Sequence, residues 1–146
     1  MSKKKLAGII VACIVVVIVV VIVVVTTAPR LTPTPTTLAG VGEWANLTSD
    51  VKLKVKEIAD DHPSILVTWS NDGDTDFVLE IEKYTVTSAA GVHTAVSLFA
   101  PGAIVKIAPG KEWTYWLQFP EEAMPLQECI LQYDGRSIFD LSVRAE

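Results

Sequence analysis

Beyond residue 43, successive residues of this chain divide into two sets, one apolar and one largely polar. Val51, Leu53 and Val55 alternate with Lys52, Lys54 and Lys56; Ile65, Val67 and Trp69 alternate with Leu66, Thr68 and Ser70; Phe77, Leu79 and Ile81 alternate with Val78, Glu80 and Glu82. Side chains of a strand point to opposite faces in turn, so this period of two predicts strands with one face buried. Further β-rich runs at 92–99, 104–107, 112–119, 126–133 and 137–144 are separated by Gly, Pro or Asp-Gly punctuation. Seven or eight short strands at that spacing predict an all-β, antiparallel sandwich. No helix of comparable quality is evident, although residues 121–124 fit a short turn.

The N-terminal pattern is different. Lys3, Lys4 and Lys5 precede an uninterrupted apolar run from Leu6 to Val25, twenty residues without charge or proline. A helix of that length reaches about 30 Å, the thickness of a bilayer core. Val and Ile favour strands in water, but in lipid every backbone donor needs an internal partner, which forces a helix. Lysines beside the span keep it N-in, so the remainder is expected outside the cytoplasm. Residues 26–42, "TTAPRLTPTPTTLAGVG", are rich in Thr and Pro, favour extended polyproline II conformation and predict a semi-rigid stalk. The expected plan is therefore a basic stub at 1–5, a transmembrane helix at 6–25, a linker at 26–42 and one sandwich domain at 43–146.

Three other fates of the N-terminus compete with a retained anchor. Cleavage as a signal peptide needs a shorter apolar region, and its best site, Thr26-Thr27-Ala28, runs into Pro29. Ile10-Val11-Ala12-Cys13 resembles a lipobox that would lipidate Cys13, but too few residues precede the cysteine. Ala7-Gly8 before Ile9 resembles the processing site of pilin-like proteins, without the glutamate usual near the start of their helix. A pilin-like filament subunit packed through its apolar helix is the alternative reading of function.

Charge narrows the partners. Past the span there are nine basic and seventeen acidic residues, a net charge of −8. Nucleic-acid binding needs a basic footprint and is not expected. Asn46-Leu47-Thr48 fits an N-glycosylation sequon.

The stretch "NDGDTD" at 71–76 carries Asp72, Asp74 and Asp76 at alternate positions. Asn/Asp-Gly is a strong hairpin signal, and the turn reading, with Gly73 at positive φ, accounts for Asn71, Asp72 and Gly73. The three carboxylates also fit the start of a calcium loop. An EF-hand-type loop would want Gly at 77 and Glu at 83, where this chain has Phe77 and Lys83. A calcium-binding surface domain is the third reading of function, behind a solvated turn.

Other chemistry is sparse. His62 sits in a loop after Asp60-Asp61, His93 reads as an exposed strand residue, and there is no Gly-x-Ser-x-Gly elbow or paired Cys/His zinc pattern. No catalytic residue, metal ligand or cofactor is expected. Cys13 lies in the span and Cys129 in the exported domain, so no disulfide can close within the fold, and Cys129 is expected as a buried thiol beside Leu131 and Tyr133. The natural core faces are Ile65, Val67 and Trp69, and Trp113, Tyr115, Leu117 and Phe119. Trp116 falls on the opposite, polar face between Thr114 and Gln118. There it is the candidate anchor for a protein or carbohydrate partner, unless a neighbouring loop such as that of Trp44 covers it.

The order "VKLKVKEI", "WSNDGDTDF", "IAPGKEWTYWLQFP" and "CILQYDGRSIFDLSV" resembles the immunoglobulin-like domains of unknown function in bacterial lipoproteins and membrane-anchored surface proteins. The resemblance covers about residues 48–144. It implies an immunoglobulin-like sandwich with an extracytoplasmic binding or structural role, and it supplies no catalytic residues.

Overall fold

The structure, a computed structural model, describes residues 37–146. The expected helix at 6–25, its lysines, Cys13 and most of the linker lie outside the described residues. What is described is all-β and sandwich-like. Eleven strands run β1 (Ala39–Val41), β2 (Trp44–Asn46), β3 (Val51–Ile58), β4 (Ser64–Asn71), β5 (Phe77–Leu79) and β6 (Tyr84–Ser88). They continue as β7 (Gly91–Thr94), β8 (Val105–Ile107), β9 (Glu112–Gln118), β10 (Ile130–Tyr133) and β11 (Arg136–Arg144). One sheet has the order β1-β11-β10-β6-β7, a second β2-β3-β4-β9, and β5 pairs with β8 alone.

The period-two reading of the longest strands agrees with their burial. Leu53 and Val55 of β3, Ile65, Val67 and Trp69 of β4 and Leu117 of β9 are fully buried, against Tyr84, Val86, Leu131, Phe139 and Leu141 of the five-stranded sheet. Trp69 ties the two sheets. Its indole Nε1 donates to the Tyr84 hydroxyl at 2.8 Å, and the Tyr84 ring meets it edge-on at 5.9 Å. Burial pushes the Tyr84 hydroxyl far above its ordinary pKa, so it stays protonated and available to the indole. In β3 the alternation breaks. A register shift between Val55 and Glu57 leaves both Lys56 and Glu57 exposed and returns Ile58 to the core opposite Ile65.

Four expectations change. The strand count exceeds seven or eight, chiefly because β1 and β2 lie where no alternation was visible and the run from Phe77 is split by a 3-10 turn at Ile81–Lys83. Secondly, the fold begins inside the expected linker: β1 pairs with β11, and in parallel, so the sandwich is not purely antiparallel. Residues 121–124 form a 3-10 turn at Glu121–Ala123, as the sequence suggested. Thirdly, "NDGDTD" is not a hairpin. β4 already has β3 on one side and β9 on the other, so β5 leaves the sheet and pairs with β8. The Asp-Gly hairpin occurs instead at Asp134-Gly135, with φ of 49° and 76°, where two residues join the paired Tyr133 and Arg136. Finally, Gly73 is not among the positive-φ glycines. It is required by space: a Cβ there would lie 2.8 Å from the Asp50 Cβ.

Candidate functional site

The outward residues of the four-stranded sheet form rows fixed by register. One row runs Asn46, Lys52, Ser70, Glu112 across β2, β3, β4 and β9; the next runs Trp44, Lys54, Thr68, Thr114; a third brings Glu57, Leu66 and Trp116 together. The Thr68 and Thr114 hydroxyls bond to each other at 2.7 Å, closing the middle of the face. Trp44 is 42% exposed, with the Lys54 ammonium 5.8 Å from its ring centroid. Beside it lies an open groove of about 350 Å³, lined by Trp44, Asn46, Lys52, Ser70, Asp72 and Glu112.

Neighbouring groups hold this groove in shape. Asp72, just past β4, accepts the Lys52 ammonium at 2.8 Å and the Ser70 hydroxyl at 2.9 Å. Lys52, and after it Ser70, hold its carboxyl below the ordinary value of 3.8. A depressed carboxylate pKa adds stability above that ordinary value and loses it as pH falls through the lower folded value. The pair is solvent-exposed, so its role is to position charge more than to stabilise. Behind the groove, the Arg136 guanidinium donates to the backbone carbonyls of Asn46 and Leu47 and fixes the end of β2. The Thr48 hydroxyl accepts from the backbone N–H groups of Asp50 and Val51 and shapes the turn into β3.

Trp116 is on this outer face, as its alternation required, but half-buried. Its cover comes from the β3–β4 loop, where the His62 ring lies 5.9 Å away. The loop of Trp44 is not the cover, since β3 and β4 separate the two tryptophans. Sequence reasoning missed the Trp44 groove. Trp44-Ala45-Asn46 is too short for its alternation to be read from sequence, and only its pairing with β3 places Trp44 and Asn46 on one face opposite Lys54 and Lys52.

Asn71 is buried and ties "NDGDTD" to β8: its amide donates to the carbonyls of Thr75 and Ile107, each at 2.8 Å, and its Oδ1 accepts the Gly73 N–H. Asp72 faces Lys52, whereas Asp76 faces Lys106 at 3.7 Å. Among the described residues no three His, Cys, Asp or Glu side chains group closely enough to hold a metal. Asp74→Asn and Asp76→Asn are expected to shift unfolding free energy by no more than about 0.5 kcal/mol. Thermal melts with millimolar calcium and with chelator check this, and a calcium-dependent rise lost in Asp74→Asn would contradict it.

Trp113 and Tyr115 are on the core side but only half-buried, continuing a run of rings from Trp69 through Trp113 and Tyr115 to Phe99. His93 is not the exposed strand residue expected: it sits directly opposite Val86, half-buried on the inner side of edge strand β7. Cys129 is buried, and burial pushes its thiol pKa up. Comparison with protein-family models, curated proteins and solved structures finds no match to this chain.

Proposed function

We propose that the chain is a single-pass membrane protein that holds one immunoglobulin-like module outside the cytoplasm as a non-catalytic binding or assembly element. Its contact surface is the outer face of the four-stranded sheet. The observation that carries the binding reading is the pair of tryptophans at opposite edges of that face, Trp44 exposed and Trp116 half-buried, opposite Leu66 and between Thr114 and Gln118 of its own strand. Aromatic side chains give large contact area at low entropy cost, and buried cores do not need them there.

The immunoglobulin-like assignment is supported by topology. The chain crosses between sheets after β4 and again after β9, and β6, β10 and β11 lie side by side as the C, F and G strands of that fold do. The anchor rests on the apolar run at 6–25 and the lysines before it. The non-catalytic reading rests on where the chemistry goes: the thiol and Asn71 lie inside the core, while His62 is in the β3–β4 loop and His93 in edge strand β7 of the five-stranded sheet.

Protease added to intact cells tests the placement. The account expects digestion of a C-terminally tagged chain from outside, with an N-terminal fragment retaining Lys3, Lys4 and Lys5 left in the membrane. Protection of the whole chain until the cells are lysed would overturn it. A mature chain beginning at Ile9 would favour the pilin-like reading instead.

A further inference from the structure

The groove beside Trp44 differs from an ordinary protein-docking patch in its lining. One aromatic ring stands at its edge and the other five groups are polar, whereas protein interfaces are built around an apolar core. We propose that this groove is a subsite for a neutral carbohydrate, with a sugar ring stacked on Trp44 and its hydroxyls meeting the polar row Asn46, Lys52, Ser70 and Glu112. This rests on the outer-face reading above and names the ligand class for it.

Three features of the groove select that class. A sugar hydroxyl donates and accepts at once, so it needs both kinds of partner. Here the Asn46 amide offers both, the Ser70 hydroxyl, whose proton goes to Asp72, accepts, Lys52 donates, and Asp72 and Glu112 accept. The row spans four strands, which at about 4.8 Å per strand spacing gives roughly 14 Å, enough for a short oligosaccharide. Charge disfavours anionic competitors. The lining carries one ammonium, Lys52, against the carboxylates of Asp72 and Glu112, and Lys52 is paired with Asp72 at 2.8 Å. A phosphate or polyanion would meet those two carboxylates. The polar groups are also preorganised, because Asp72 is held from two sides and the backbone of Asn46 is tied by Arg136. Preorganisation lowers the ordering cost that weakens sugar binding in open grooves.

The test uses the full chain in a detergent without a sugar headgroup, titrated with cellotetraose, chitotetraose and mannotetraose up to about 10 mM, the range of weak single-site binding. Binding is followed by tryptophan fluorescence and by backbone amide NMR shifts. At least one sugar should saturate, with shifts centred on Trp44, Asn46, Lys52 and Ser70. Trp44→Ala should weaken it about tenfold or more, and Glu112→Gln should weaken it less. Trp116→Ala should leave it unchanged. No saturable shift with any of the three sugars, a shift map centred elsewhere, or unchanged affinity in Trp44→Ala would each overturn the proposal. In parallel, photo-crosslinking from Thr114 in native cells reports on the outer face independently of ligand class. Adducts to a protein there, with all three sugars silent, would reject the carbohydrate and keep the contact surface.

Discussion

Replacing Trp69 by alanine is expected to destabilise the folded part of the chain by about 3–5 kcal/mol, the range for deleting a large buried aromatic from a core. Trp69 is fully buried and reaches both sheets: it pairs with Leu53 and Trp113 within its own sheet and bonds to Tyr84 of the other. Its removal opens a cavity between the layers and also leaves the Tyr84 hydroxyl buried without its donor, a further cost of about 1–3 kcal/mol. Against a typical stability of about 5–15 kcal/mol, that removes much of the margin. Trp69→Phe fills most of the volume but loses the hydrogen bond, so it should fall between wild type and alanine. Guanidinium unfolding of residues 37–146 measures both. A loss under about 1 kcal/mol in Trp69→Ala would mean that the two sheets do not meet through this residue.

Asn71→Ala should cost about 2–4 kcal/mol, although asparagine in a turn is usually a surface residue. Its amide satisfies two main-chain carbonyls, one in its own loop and one at Ile107, and its oxygen takes the Gly73 N–H. Each buried polar group left without a partner costs roughly 1–3 kcal/mol, and the contacts at Ile107 and Gly73 are shielded enough for that to apply. Asn71→Asp should be as harmful or worse at neutral pH, because it sets a carboxylate against two carbonyl oxygens. Unfolding midpoints of the two variants check the size. Amide shifts confined to residues 72–79 and 105–110 would show that the loss is local to the docking of β5 and β8. Wild-type stability in both variants would return "NDGDTD" to the status of a solvated turn.

These two positions show what the sequence reveals and what it hides. Trp69 was legible as a core residue because strand alternation is a local property, and Val51, Leu53, Val55, Ile65 and Val67 follow it into the core. Asn71 was legible only as a turn former. Its burial depends on β4 being flanked by β3 and β9, and on Ile107 arriving from 36 residues away. The same non-local pairing explains β1: three residues at the end of a Thr/Pro-rich stretch become a strand because β11 offers its edge in parallel. His93 was misjudged for a related reason, since the side to which an edge strand turns its residues is set by its partner Val86.

The outer face divides in the same way. Trp116 could be placed on the polar side of its strand by counting, but its partial cover by His62 needed the fold of the β3–β4 loop. The Trp44 groove draws on four strands and a loop, spread from residue 44 to residue 112, and no window of sequence contains it.

The central claim is that the outer face of the four-stranded sheet is the working surface of the protein, and a photo-crosslinker placed there tests it most directly. A benzophenone side chain inserts into C–H bonds of any nearby molecule, so protein and carbohydrate partners are both captured. Introduced in native cells at Thr114 or Lys52, on the outer face, it should give discrete adducts. At Gln132 of β10, in the five-stranded sheet, it should give none. Adducts from Gln132 with none from Thr114 and Lys52 would contradict the account.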